Sequence, residues 1–156
     1  MQPKYLKTMK NFILTIAFLT VSFVQAQILE PVKWTTSVKK VSDSEFILIA
    51  TAEIDDNWHL YSQSVPEDGP LPTTFTFEGN ANYLKKGNTL EEKGHTIKDP
   101  VFEMEIKYFE IKTTFKQHIK LKTKNAFKVK AVVEFMVCDD SRCLPPNEVD
   151  LVFNVQ

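Results

Sequence analysis

The sequence is poor in the residue types that hold metal ions. Its 156 residues include only two cysteines and three histidines, and His59, His95 and His118 show no paired spacing. A structural zinc ion takes four ligands, so the two cysteines would need two more that the scattered histidines do not supply. We therefore expect no metal and no cofactor.

A clustered basic face is missing as well. Lysines alternate with apolar residues, as in Lys120 and Lys122 or Lys128 and Lys130, which is typical of the solvated face of a strand. Domains that bind nucleic acids instead gather their basic residues on one face. We therefore expect no nucleic-acid partner.

The chain also lacks an apolar run long enough to span a bilayer comfortably, which takes roughly 20 residues. Its most apolar stretch, from Phe12 to Val24, follows a segment whose only charges are three lysines. Small residues at Val24 and Ala26 suit cleavage by signal peptidase, so the pattern predicts a signal peptide over residues 1–26 and no membrane span after it. An uncleaved N-terminal anchor is the alternative.

Cleavage after Ala26 leaves a mature domain at residues 27–156. Three of the 19 basic residues lie in the leader, so the mature segment has 16 Lys and Arg against 20 Asp and Glu, a net charge of about −4. A length of about 130 residues fits one domain with one core. We predict a mildly acidic, soluble, monomeric domain in the periplasm or another exported location.

No stretch of the mature segment has a helical period. Every second residue is apolar in several runs, most clearly from Phe46 to Ile54, from Phe127 to Val137 and from Val149 to Val155. Such alternation is typical of strands with one buried face. The pattern predicts an all-β fold, an immunoglobulin-like β-sandwich of seven to nine strands, with a small barrel as the alternative. A change of phase near Tyr108 and Phe109 indicates a bulge.

The two cysteines, Cys138 and Cys143, are separated by four turn-forming residues. Cys138 ends a strand on the phase that it shares with Lys128 and Glu134, so we expect its thiol to be accessible. The pair is either a structural disulfide or a redox-active one. A bridge across so short a loop stabilises the fold by only about 2 kcal/mol, which weakens the structural interpretation. The spacing alone favours neither of the two.

Three segments carry a resemblance to a known family. The run FMVCDDSRCLPP (residues 135–146) resembles the active-site hairpin of the N-terminal periplasmic domain of DsbD, a membrane thiol:disulfide interchange reductase. DNWHLY (residues 56–61) is similar to a strand of that family that reads Asp-Gly-aromatic-aromatic-Leu-Tyr. DPVFE (residues 99–103) lies where the family has a cap loop. The resemblance covers nearly all of the mature segment.

The resemblance implies an immunoglobulin-like domain that exchanges thiols and disulfides. By analogy, Cys143 attacks a partner's disulfide and Cys138 resolves the mixed disulfide. The family's cap lays an aromatic ring over the cysteines, and Phe102 is the best candidate for that ring here, with an ordinary core aromatic as the alternative. Tyr61 is then expected to line the site or to pack in the sandwich.

The residues between the cysteines, Asp139, Asp140 and Arg142 among them, are expected to shape the site. Arg142 favours a thiolate on Cys143, whereas Asp139 opposes ionisation of its neighbour, Cys138. Turn formation through side-chain hydrogen bonds explains the two aspartates at least as well. The sequence departs from the family in its shorter spacer between the cysteines. It also has Asp-Pro at residues 99–100, where the family's cap begins with an acidic pair.

The family's full-length members continue into a multi-span membrane domain and a thioredoxin-like domain, and this sequence contains neither. The resemblance therefore implies partners on separate chains: thioredoxin-like domains and a membrane thiol reductase, in a system related to cytochrome c biogenesis. Such an electron carrier shows no turnover without its donor and acceptor. The competing function is a non-catalytic immunoglobulin-like interaction module with a structural disulfide.

Overall fold

The computed structural model describes residues 29–156, and within them it contains strands and no helix. In chain order the strands are β1 (Val32–Lys40), β2 (Glu45–Ile54), β3 (His59–Tyr61), β4 (Thr74–Phe77), β5 (Tyr83–Glu91), β6 (His95–Lys98), β7 (Glu105–Phe109), β8 (Lys112–Leu121), β9 (Phe127–Phe135), β10 (Val137–Cys138) and β11 (Asn147–Val155). The predicted signal peptide lies outside the described residues.

The strands form three antiparallel sheets. Their orders are β1-β2-β8-β5, β10-β3-β7-β6 and β11-β9-β4. The main core lies where the inner faces of the sheets meet, and its buried side chains come from all three, as with Leu48 on β2, Leu60 on β3 and Val133 on β9. The prediction of an all-β, immunoglobulin-like sandwich is therefore confirmed. Within residues 29–156, no helix meets the length and apolarity that a membrane span requires.

The alternation in the sequence corresponds directly to burial in the core. On β9, Val129, Ala131 and Val133 are buried, whereas Lys128 and Lys130 on the alternate positions are exposed. The aromatic centre of the core is Phe115 on β8, whose ring packs against Trp34, Phe75 and Phe109 at centroid distances of 5.0–5.7 Å. Burial of these large side chains supplies the dominant driving force for folding.

Residues 29–156 form eleven strands, where the pattern indicated seven to nine. β3, β6 and β10 have three, four and two residues, which is too short for a recognisable alternation. β1 and β5 lie at the two edges of the first sheet, and β6 lies at an edge of the second. All four residues of β6 are exposed. β1, β5 and β6 place few side chains in the core, so their sequences carry a weaker signal.

The change of phase near Tyr108 and Phe109 is not a bulge, contrary to the prediction. β7 ends at Phe109 and pairs in the second sheet, whereas β8 begins at Lys112 and pairs in the first sheet. Between them Ile111 has a φ of 61°, in the left-handed region. The chain therefore crosses from one sheet to the other here, and the residues that face the core change phase as a result.

Candidate functional site

A disulfide joins Cys138 and Cys143 across a tight hairpin, residues 137–144, which we call the cysteine hairpin. The two Cα atoms are 4.0 Å apart. Two backbone hydrogen bonds hold the hairpin: the Asp139 N–H donates to the Arg142 carbonyl at 2.9 Å, and the Leu144 N–H donates to the Val137 carbonyl at 2.9 Å. The Cys138–Cys143 pair therefore lies between these two hydrogen bonds in a short antiparallel ladder.

The side chain of Asp139 organises the turn. Its Oδ1 accepts hydrogen bonds from the Ser141 N–H and hydroxyl, at 2.9 and 2.8 Å, and from the Arg142 N–H at 2.9 Å. These donors, led by the Ser141 N–H, lower the pKa of Asp139 from an ordinary 3.8 to about 2. The carboxylate thus has the turn-forming role that the sequence suggested as one of two interpretations.

Arg142 directs its charge toward Asp139 and Trp58. Its Nε lies 3.3 Å from Asp139 Oδ2, and its guanidinium carbon lies 5.9 Å from the centre of the Trp58 ring. Trp58 itself is buried in the main core. Asp140 is exposed and lines a cleft beside the hairpin. Asp139, Asp140 and Arg142, which were expected to shape the site, therefore all lie beside the disulfide. Asp139 and Arg142 form an ion pair.

Cys138 is buried, and the expectation of an accessible thiol there is wrong. Only 1% of the residue is exposed, whereas Cys143 is half-buried. The phase was correct, because Val137 faces the main core and Cys138 faces away from it. The outward face is covered by a second group of side chains, the outer cluster, which contains Tyr61, Ile106, Tyr108 and Cys138, with Val65, Phe102, Met104, Met136 and Cys143 packed against them.

Residues 99–104 form a loop that packs over the outer cluster, and we call it the cap loop. Asp99, only 3% exposed, holds it: Oδ1 accepts from the Val101 and Phe102 N–H groups at 2.8 and 3.0 Å, and Oδ2 accepts from the Tyr61 hydroxyl at 2.8 Å. The Asp99 N–H donates to the Met104 carbonyl at 2.8 Å. The loop is thereby closed on itself and tied to β3.

Phe102 and Tyr61, the two aromatic residues proposed for the site, contact each other there. Their rings meet edge-on with centroids 6.1 Å apart, and both belong to the outer cluster that contains the cysteines. Tyr61 is fully buried. Burial raises the pKa of the Tyr61 phenol far above its ordinary range, and the hydrogen bond to Asp99 adds to the effect. Tyr61 therefore stays a neutral hydrogen-bond donor.

His59 lies directly opposite Cys138 in the β3–β10 ladder. Its ring packs on Tyr108 at a centroid distance of 4.4 Å, and its Nε2 lies 3.2 Å from Glu110 Oε1. The ring is 10% exposed, at the edge of a cleft of about 540 Å³. Four carboxylates line this cleft: Asp55, Asp56, Glu110 and Asp140.

The surroundings of the disulfide are negative. Burial raises the pKa of Tyr108, and the charges of Glu110, Asp140 and Asp99 raise it further. Tyr108 belongs to the same outer cluster as Cys138. Among residues 29–156, no group of three or more histidine, cysteine or carboxylate side chains is arranged to hold a metal ion. The chemistry that this arrangement offers is exchange at the disulfide itself.

The structure brings together every residue that the sequence placed at the site. It adds three that sequence reasoning passed over as site residues: His59, Tyr108 and Glu110. His59 and Tyr61 alternate on one short strand, which was a usable signal. The pairing of β3 with β10, which places His59 opposite Cys138, could not be predicted from the sequence. The two strands lie far apart in the chain, and β10 has only two residues.

An immunoglobulin-like sandwich with a disulfide in a short hairpin under a cap defines a thiol–disulfide exchange domain. The chain belongs to the family described as "Thiol:disulfide interchange protein DsbD, N-terminal", whose model matches residues 25–153. The prediction of this family is confirmed. No curated protein sequence matches the chain.

Two solved structures have the same fold. One is the complex between the DsbD N-terminal and PilB N-terminal domains from Neisseria meningitidis, with 15% identity, a TM-score of 0.51, and coverage of 82% of this chain and 87% of that one. The other is the N-terminal periplasmic domain of ScsB from Proteus mirabilis, with 14% identity and a TM-score of 0.53. The latter match covers 80% of this chain and 48% of that one.

Proposed function

We propose that this chain is an exported electron carrier that exchanges disulfides with thioredoxin-like proteins through Cys138 and Cys143. The observation that carries the proposal is the position of the disulfide. It lies in a hairpin that closes only a few residues, beneath a cap loop with its own hydrogen bonds, and outside the main core. A bridge placed there contributes little to stability compared with one that closes a long loop.

The two cysteines differ in exposure, and this difference supports a division of roles. In the reduced protein the thiolate of Cys143, the half-buried residue, attacks one sulfur of a partner's disulfide, and the partner's second sulfur leaves as a thiolate. Cys138, which is buried, then attacks Cys143 Sγ and releases the partner. Two electrons pass to the partner, and the Cys138–Cys143 disulfide forms again.

Partner proteins must reach the hairpin for this exchange. A DsbD N-terminal domain from Neisseria meningitidis forms a complex with a PilB domain, so a relative with this fold docks a protein partner. The related domain of ScsB is periplasmic, which supports export of this chain. We propose thioredoxin-like domains as acceptors, a separate membrane thiol reductase as donor, a monomeric carrier, and a place in a system related to cytochrome c biogenesis.

The decisive measurement combines a reduction potential with a transfer assay. The potential of the pair, measured by equilibration in glutathione or dithiothreitol buffers with thiol trapping, should lie between about −200 and −270 mV, as in exchange proteins. The reduced protein should reduce an oxidised thioredoxin-fold protein. Cys143→Ala should abolish transfer, whereas Cys138→Ala should accumulate the mixed disulfide.

A potential well below about −300 mV would instead identify a structural bridge. A loss of stability in Cys143→Ala well beyond about 2 kcal/mol, the contribution of a bridge across so short a loop, with unchanged binding of a partner, would indicate the same. Either result would replace electron transfer with the interaction-module function.

A further inference from the structure

Resolution of the mixed disulfide poses a problem of proton transfer. Cys138 carries a proton while Cys143 is joined to the partner, and only the thiolate attacks a disulfide. Cys138 is 1% exposed and lies among apolar and aromatic side chains of the outer cluster. Because burial in apolar surroundings disfavours the thiolate and excludes bulk water, a nearby side chain must accept the proton.

His59 is placed to accept it. Residues directly opposite each other in an antiparallel ladder project from the same face with Cβ atoms about 4.5–5.5 Å apart, and Cys138 lies opposite His59. The imidazole is 10% exposed, so packing holds its orientation. Its Nε2 lies 3.2 Å from Glu110 Oε1, so a neutral imidazole that carries its proton on Nε2, facing the carboxylate, has Nδ1 free to accept a proton.

The other buried base of this face is already occupied. Asp99 accepts three hydrogen bonds, one from the Tyr61 hydroxyl and two from backbone N–H groups of the cap loop. Protonation of Asp99 would weaken all three and loosen the cap loop. His59 can take a proton without such a loss, because the Glu110 carboxylate becomes its counter-charge.

We propose that His59, oriented by Glu110, is the proton acceptor for Cys138 in the resolving step, an inference that rests on the proposed function. The imidazole takes the proton from the Cys138 thiol, and the resulting thiolate attacks Cys143 Sγ. The bond between Cys143 and the partner's sulfur breaks, and the partner leaves as a thiolate. When an incoming donor reduces the disulfide, the imidazolium returns the proton to Cys138. The arrangement of acid, imidazole and sulfur parallels that of other activated nucleophiles.

The charges around His59 come from every neighbouring segment. The titratable groups that line the cleft with His59 are Asp55 and Asp56 before β3, Tyr108 on β7, Glu110 just after β7, and Asp140 in the cysteine hairpin. His95 on β6 also lies near Tyr108, with its ring 6.2 Å from the Tyr108 ring. The residues that line the cleft include four carboxylates and no lysine or arginine.

The test measures the resolving step without a protein partner. Reduced protein is mixed with one equivalent of dithiobis(nitrobenzoate), and the released chromophore is followed by stopped flow between pH 5.5 and 9. The first phase reports formation of the mixed disulfide on Cys143, and the second reports attack by Cys138. Cys138→Ala should show the first phase alone, which fixes the assignment.

His59→Phe retains a ring that packs on Tyr108 but removes the base. We expect the second phase to slow by roughly 10- to 100-fold near neutral pH, at the lower end of what general-base catalysis supplies, and to approach the wild-type rate at pH 9. The first phase should not change. Glu110→Gln should slow the second phase by a smaller factor, because it removes the counter-charge and leaves the imidazole in place.

His95→Phe is the matched control, because His95 also lies beside Tyr108 but on the exposed edge strand β6. Its two phases should equal those of the wild type. A second phase in His59→Phe with the wild-type rate and pH dependence would overturn the inference. Equal slowing at every pH would overturn it too, since that is the signature of altered packing. If His59→Phe fails to fold, a second phase in Glu110→Gln with the wild-type rate would overturn the inference instead.

The inference and the proposed function can fail separately. If the wild-type protein does not exchange with thioredoxin-fold proteins, electron transfer is wrong, yet the two phases with the small reagent still report whether His59 accepts the proton.

Discussion

The Tyr61 hydroxyl donates a 2.8 Å hydrogen bond to Asp99 Oδ2, and this contact joins β3 to the cap loop over the disulfide. Both residues are buried, and Asp99 also accepts from the N–H groups of Val101 and Phe102. One carboxylate thus fixes the loop's internal shape and its position on the outer cluster. The stability of the cap and the protection of Cys138 should therefore depend on the same pair of side chains.

Tyr61→Phe should lower the free energy of unfolding by about 1–3 kcal/mol, because it leaves Asp99 Oδ2 buried without its donor. Urea unfolding of the two single variants and of Tyr61→Phe with Asp99→Asn should give a coupling energy clearly different from zero. Tyr83→Phe is the matched control, since the Tyr83 hydroxyl donates to the Glu78 carbonyl away from the site. Additive effects of Tyr61 and Asp99 would contradict the coupling.

Phe102→Ala should expose the reduced cysteines. The ring packs in the outer cluster with both of them, so its removal should raise the second-order rate of alkylation of the reduced protein several-fold. Val101→Ala is the control, because Val101 lies in the same loop with 40% of its surface exposed. Equal rates for Phe102→Ala and the wild type would show that the ring does not shield the thiols.

Replacement of both cysteines by alanine should leave the domain folded. A bridge between residues 138 and 143 closes a very short loop, so its loss should lower the free energy of unfolding by about 2 kcal/mol. Phe115→Ala should cost more, about 3–5 kcal/mol, because Phe115 is 1% exposed at the aromatic centre of the core. Denaturant unfolding measures both. An unfolded double-alanine variant would support a structural disulfide.

The cysteine hairpin should keep its form down to low pH. Because the pKa of Asp139 is lowered to about 2, its hydrogen bonds stabilise the folded hairpin fully above its ordinary pKa near 3.8 and are lost as the pH falls through about 2. A carboxyl NMR titration should show a midpoint near pH 2 that is missing in Asp139→Asn. A midpoint near 3.8 would mean that the Ser141 and Arg142 donors do not hold the carboxylate in solution.

The sequence was most informative where side chains alternate over a long strand. β2, β9 and β11 have nine or ten residues each, and their apolar phase matches the buried face. It was less informative at β1, β5 and β6, because most of their residues are exposed: only Val32 on β1 and Tyr83 on β5 are buried, and no residue of β6 is. The phase change near Tyr108 and Phe109 was visible, but a bulge and a crossing between sheets give the same local pattern.

At the site, local sequence determined the cysteine hairpin, the turn made by Asp139, and the outward direction of Cys138, because each depends on residues within a few positions of one another. Only the tertiary structure decided that Cys138 is buried, that Asp99 binds Tyr61, and that His59 lies opposite Cys138. These contacts join segments tens of residues apart. Strand pairing selects such partners through the packing of the whole sandwich, and no local pattern encodes that selection.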